Sequence, residues 1–245
     1  MKASPAEQQE LLRLQSLDTR LQQLAHRLGS LPQAAPLAEL GARDTAVRGR
    51  RAEAIGGLED ARTELKRLES DVAVVEARIA RDSERLQHTS SMKDVAGLES
   101  ELASLAKRLS DLEDQELVIM ERVEEAEGAL AAIDGERAAI AAETAGLEVE
   151  RDEAAAGLTA ERQAAERDRV VVAGGVPADL LALYEQRRTR GAGVGAALLQ
   201  HRTCQGCNMT LTGSDLDRVR RAAPDEVLQC PECDRILVRT DESGI

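Results

Sequence analysis

RLQHTSSMKDVAGLES, residues 85–100, decides how this chain folds. On its amino-terminal side Leu58, Ala61, Leu65, Leu68, Val72, Val75, Ile79 and Leu86 recur at steps of three and four, or seven. Beyond it the same rhythm restarts at Val95, Leu98, Leu102, Leu105, Leu109 and Leu112 and continues through Ile119, Val123, Ala126, Leu130, Ile133, Ile140 and Leu147. That spacing is the stripe of a helix that packs through a narrow seam. Two such seams joined by a short polar turn are expected to fold back on each other as an antiparallel hairpin. The alternative is a parallel coiled coil between two chains, with no fold-back.

Working outward, Leu14, Leu17, Leu21, Leu24, Leu28 and Leu31 form an earlier seam, and LPQAAP at 31–36 interrupts it by removing backbone donors. With the fold point near Ser91, residue 31 lies opposite residue 151, so the first leucines have residues 151–170 as neighbours. The second long helix, roughly 75 residues, would reach about 110 Å at 1.5 Å per residue. VVVAGGVP at 170–177 ends it, since Gly174 and Gly175 suit a helix terminus and Pro177 suits the first turn of a new helix. ADLLALYEQRR then reads as a short helix with Leu180, Leu181 and Tyr184 on one side, Tyr184 packing a small core. The glycines at 191, 193 and 195 lack the strand, helix and Lys or acidic partner of a phosphate-binding loop and read as a flexible turn entering a strand.

Composition agrees with this layout. The 245 residues contain one Tyr and no Phe or Trp, so Leu, Ala, Val and Ile must fill any core, as long helices permit. The formal charge is −13, and residues 1–173 hold 23 basic and 35 acidic side chains, a balance of −12. An acidic helical surface repels phosphate backbones. MKASPAEQQE lacks the apolar run of a signal peptide, and no segment approaches 18 uninterrupted apolar residues. The expected location is therefore the cytoplasm, with no membrane partner. There, cysteines serve more often as metal ligands or redox centres than as disulfides.

Cys204 and Cys207 in CQGC, with Cys230 and Cys233 in CPEC, form two C-x2-C pairs separated by 22 residues. Each pair places two sulfurs on one tight turn, and two turns complete a tetrahedral thiolate cage. A strand in NMTLT, a helix from Ser214 and paired strands in EVLQC and RILVR outline a zinc ribbon holding one structural Zn2+, with iron as the alternative metal. A ribbon of about 40 residues buries too little to fold alone, so the metal supplies much of its stability. A dithiol oxidoreductase needs one such pair at a helix start in a βαβ setting, which two symmetric pairs do not resemble. Four protein ligands leave no open coordination position for a catalytic water. His26, His88 and His201 are scattered, so no catalytic constellation and no small-molecule substrate are expected.

With its long hairpin, VPADLLALYEQRR, CQGCNM and CPECDRIL, the chain resembles a bacterial family of C4-type zinc-ribbon proteins built on a coiled-coil hairpin. The resemblance spans essentially the whole length, its specific part being the last 70 residues. That family usually has Gly directly after the last cysteine, where this chain has Asp234, at some conformational cost. The resemblance implies a non-enzymatic adaptor. Some members are associated with flagellar or secretion gene control through an alternative sigma factor and, in some cases, messenger RNA.

The fold expected is mainly α: residues 1–173 a coiled-coil hairpin with its tip near 88–94, residues 174–203 a short helix and connecting strand, and residues 204–245 the ribbon. Two functions follow. In the first, the acidic arm engages partner proteins, with Ser91, Met92 and Lys93 exposed at the tip. In the second, the head binds RNA or DNA through Arg187, Arg188 and Arg190, Arg202 beside the first knuckle, Arg218, Arg220 and Arg221 on the spacer helix, and Arg235 and Arg239 after the second knuckle. The head's net charge near zero and its lack of aromatic residues in the ribbon weigh against the second. Insertion of the tip into an RNA polymerase channel would need paired acids there, and the turn offers only Asp94.

Overall fold

The computed structural model describes residues 1–245. It contains α1 (Pro5–Gly29), α2 (Ala34–His88), α3 (Met92–Gly174), α4 (Ala178–Arg190), β1 (Ala196–Gln200), β2 (Thr203–Cys204), α5 (Gly213–Arg221), β3 (Leu228–Gln229), β4 (Ile236–Val238) and a 3-10 turn at Asp241–Ser243. These elements make two compact units, Ala35–Glu148 on one hand and Met1–Ala34 with Val149–Ile245 on the other.

Ala35–Glu148 is an antiparallel helical hairpin that turns between His88 and Met92. Its seam is the stripe read from the sequence: Val75, Leu105 and Leu112 are buried against Leu68, Val72, Ile79 and Leu109, and Leu40, Val47 and Ile140 form a second cluster with Ile133 and Leu147. Cross-helix ion pairs flank the seam, among them Arg50 with Glu136 and Arg51 with Asp134, both at 2.6 Å, and Arg122 with Glu64 at 2.9 Å. Exposed pairs of this kind contribute about 0–1 kcal/mol each, so burial of the apolar stripe holds the hairpin and the charges set its register.

In the other unit, α1 starts at a capping box in which the Ser4 hydroxyl accepts from the Glu7 amide while Ser4 N donates to the Glu7 carboxylate. The sheet has strand order β2-β1-β4-β3. Strand β1 runs parallel to β4, with Ala196 opposite Ile236, and antiparallel to β2. The connecting strand expected from the sequence is thus an inner strand of the sheet. One face, through Ala196, Ile236 and Val238, packs on Leu11 and Leu14 of α1 and on Leu180 and Tyr184 of α4. The opposite face, through Ala197, Leu199 and Leu237, packs on Leu216 and Val219 of α5 and on Cys204 and Cys230. Two-sided burial replaces the aromatic bulk the composition lacks, and truncating a fully buried leucine such as Leu14 is expected to cost about 2–5 kcal/mol.

The expected segment 1–173 held α1 together with the hairpin, and α1 packs its Leu11 and Leu14 on the sheet. The chain start joins it too: Ala3 N donates to Asp225 O at 2.8 Å and Val227 N donates to Met1 O at 3.2 Å. Residues 151–170 do flank α1, as Arg20 meets Glu161 at 3.4 Å. The glycine segment 191–195 is held in place, with Gln15 Nε2 donating to Gly193 O at 3.0 Å and Gln15 Oε1 accepting from Gly195 N at 2.7 Å. Gly193 has φ 94°, a conformation that residues with a Cβ rarely adopt, so the turn favours glycine.

Candidate metal centre

The two C-x2-C segments fold as matching knuckles. Asn208 N donates to Cys204 O at 2.7 Å and Asp234 N donates to Cys230 O at 2.9 Å. One residue further, Cys204 N donates to Met209 O and Cys230 N to Arg235 O. Asn208 and Asp234 occupy the same place, one residue past the second cysteine, and both have φ 60°. The strain expected at Asp234 therefore has a counterpart at Asn208, a match that the sequence reading missed and that the position after each pair would have revealed. Gly206 lets the first knuckle close, because a Cβ there would lie 2.7 Å from Arg235 Cδ and 2.9 Å from Ala197 Cβ.

The knuckles bring all four sulfurs within 4.8 Å of one another. Cys204 Sγ is 3.9 Å from Cys233 Sγ, and Cys207 Sγ is 3.8 Å from Cys230 Sγ. A tetrahedron of sulfurs about 2.3 Å from a central zinc has edges of about 3.8 Å, so the spacing fits one zinc ion. Amides of Gly206 and Cys207 face the Cys204 sulfur, and those of Glu232 and Cys233 face Cys230. Such donors disperse the negative charge of a tetrathiolate. Burial holds the Cys204 and Cys230 thiols above their ordinary range. Burial acts upward at Cys233 as well, but hydrogen bonds from the Arg235 amide and side chain, together with those from the Cys207 and Cys230 thiols, outweigh it and lower that thiol. Bound zinc replaces the thiol protons and ties the ends of the spacer together.

Of the nine head arginines, four are half-buried and held by internal partners. Arg239 donates to the carbonyls of Val219, Ala222, Ala223, Pro224 and Glu226, bracing the end of α5 and the loop after it. Arg235 donates to Val194 O and Gly191 O. Arg187 donates to Gln229 Oε1 at 2.9 Å and lies 3.7 Å from Asp234, while Arg188 pairs with Glu185 at 2.8 Å and approaches Asp18. Arg190, Arg202, Arg218, Arg220 and Arg221 are exposed. Arg202 donates to Gly244 O, and Arg220 and Arg221 stand 4.0 and 3.9 Å from Asp217. At the hairpin turn Ser91, Met92 and Lys93 are exposed, Met92 at 86%.

A second polar cluster escaped the sequence reading. Asp18, 4% exposed, holds Arg169 at 2.6 Å and the Tyr184 hydroxyl at 2.7 Å, and Arg169 also pairs with Glu185. Gln15 and Asp18, three residues apart inside a run of leucines, were the available signal, since polar residues on a buried stripe need partners.

A four-cysteine zinc ribbon carried with a helical hairpin is the class that this fold and site define. Residues 14–192 match the CT398-like coiled coil hairpin domain and residues 203–237 the C4-type zinc ribbon domain, and the chain belongs to the CT398-like coiled-coil hairpin family. The uncharacterized protein Rv2229c of Mycobacterium tuberculosis is 35% identical over 242 residues, 98% of each chain. A solved structure from Mycobacterium smegmatis is 32% identical, covers 98% of this chain and 100% of its own, and superposes with a TM-score of 0.85. CT398 from Chlamydia trachomatis, at 20% identity, covers 96% of this chain and 98% of its own with a TM-score of 0.64, and shares the fold. No helix of the chain is long and apolar enough to cross a membrane.

Proposed function

We propose that the chain is a non-enzymatic adaptor of the cytoplasm that binds partner proteins of the gene-regulation machinery through its hairpin arm and its zinc-pinned head. The observation that carries this reading is the closed sulfur cage. All four coordination positions go to cysteines, so the ion fixes the head's shape and offers no position for substrate or water. The exposed turn at Ser91, Met92 and Lys93 is one candidate contact. Affinity purification of the full chain from its native cell, with and without nuclease, tests the reading. Protein partners retained after nuclease support it, and their complete loss overturns it.

The second reading is RNA or DNA binding by the head, favoured by the exposure of Arg190, Arg202, Arg218, Arg220 and Arg221 and the weak carboxylate pairing among them. Under it, binding falls steeply with salt, and replacing Arg218, Arg220 and Arg221 with Ala together weakens it. Salt-insensitive binding, or none, removes it.

A further inference from the structure

The arm's charge is concentrated. Residues 58–75 and 111–127 together carry 13 acidic and 4 basic side chains, a balance of −9 out of the chain's −13. The two segments face each other across the hairpin, since Arg62 meets Glu127 at 2.6 Å and Arg122 meets Glu64 at 2.9 Å. The same stretch leaves large apolar side chains in solvent, with Leu117 59%, Val118 56% and Met120 42% exposed. Val118 lines a groove of about 500 Å3 between α2 and α3, together with Leu68, Leu112 and Ile119. Glu64, Asp71 and Asp114 border it alongside Arg67.

Scattered exposed apolar residues are ordinary, and carboxylates on a helical surface are usually just solvated. Here an open groove with an apolar lining coincides with the densest unneutralised negative charge on the chain. A second groove of the same hairpin provides a contrast. It is lined by Leu37, Leu40 and Ile140, and its three carboxylates, Asp44, Asp134 and Glu148, are balanced by Arg48 and Arg137 in the lining and by Arg51, which pairs with Asp134. That groove has no excess charge with which to select a partner.

We propose that the groove at Leu68, Leu112, Val118 and Ile119 docks a basic amphipathic helix of a partner protein. The helix would lay its apolar stripe on Val118 and the half-buried edge of Leu68, above the buried Leu112 and Ile119, and direct Lys or Arg toward Asp71, Asp114 and the surrounding acids. The groove runs along residues 64–71 and 112–119, about 12 Å, which matches two to three helical turns. The charge selects among occupants. Nucleic acid and anionic lipid are repelled, and a second copy presenting the same acidic face is repelled as well. This inference rests on the adaptor reading and names the chemistry of the partner.

The test uses the full zinc-loaded chain and a labelled peptide of about 18 residues built from Leu, Lys and Ala, with Leu spaced for one helical face. Its counterpart has every Lys replaced by Glu. The Lys peptide is expected to bind saturably, to protect amides within 64–71 and 112–119 from exchange, and to weaken as salt rises. Val118→Glu is expected to weaken it at least about tenfold, and Asp71→Asn with Asp114→Asn, a gentler pair, severalfold. Helicity and zinc content report that each variant is folded. Absence of saturable binding, equal binding of the Glu peptide, indifference to both sets of substitutions, or a wild-type dimer dispersed by Val118→Glu would each overturn the proposal. Purification of Val118→Glu from the native cell separates the two readings. Wild-type levels of the same proteins on the variant defeat the groove and leave the adaptor standing, whereas no protein on the wild-type chain defeats the adaptor itself.

Discussion

The Tyr184 hydroxyl lies 2.7 Å from Asp18 Oδ2, tying α4 to α1 beneath the sheet. Asp18 is also the acceptor for Arg169 Nε of α3 at 2.6 Å, so one buried carboxylate joins three helices. Removing it by Asp18→Ala leaves Arg169 with Glu185 alone and the Tyr184 hydroxyl with Gln15 alone, and is expected to cost about 3 kcal/mol. Tyr184→Phe removes one donor and leaves the ion pair, at about 1–2 kcal/mol. Denaturant dependence of amide exchange in β1 and β4 measures both, and the opposite ranking would contradict the carboxylate's central place.

Tyr184 makes an alkaline transition visible. Burial, then the nearby Asp18 carboxylate, raises its phenol above the ordinary value. A phenol near 10 in the unfolded chain and higher in the folded one contributes its stability fully below about pH 10 and loses it as pH rises through the folded value. Because this is the only tyrosine, tyrosinate absorbance is expected to appear together with unfolding of the sheet. Ionisation near pH 10 with β-strand amides still protected would show the phenol to be accessible.

Chelation is expected to separate the two units. Zinc closes the knuckles that anchor β2 and β3, so its removal should abolish amide protection in the sheet and α5. Protection within residues 35–148 should persist, because that hairpin rests on its own apolar seam. Simultaneous loss from both would mean that the hairpin depends on the metal.

Asp234→Gly is expected to stabilise the zinc-bound head by roughly 1 kcal/mol, since φ 60° disfavours a residue with a Cβ. The lost 3.7 Å approach to Arg187 offsets little, because the Asp234 side chain is 73% exposed. Thermal denaturation of the two proteins at equal zinc reads the difference, and a lower midpoint for the variant would assign Asp234 a stabilising contact.

Gly49, Gly57 and Gly128 sit inside long helices, with nothing within 4 Å of where a Cβ would be. Substituting Ala for each is expected to add about 0.5–1 kcal/mol to hairpin stability by removing glycine's entropic cost. A loss of stability on substitution would reveal a packing role that their surroundings do not show.

The hairpin and the ribbon were legible in the sequence because each rests on local spacing: heptad steps around a polar turn, and two cysteine pairs with a strand-helix-strand spacer. Placement of α1 was not, since Leu11 and Leu14 recur at helical spacing whether the surface they meet is a helix or a sheet. The parallel pairing of Ala196 with Ile236 joins residues forty apart, and neither segment encodes that register. The arginines mislead for a related reason. Arg235 and Arg239 sit where a phosphate-binding residue could be, yet their partners are backbone carbonyls, which no pattern of side chains announces.

X-ray absorption at the zinc edge on the purified full chain, paired with native mass spectrometry, tests the central claim most directly. The account predicts one zinc per chain, with four sulfurs at about 2.3 Å and no lighter ligand. A nitrogen or oxygen among the ligands, or a metal-free chain whose β4 amides remain protected, would contradict it.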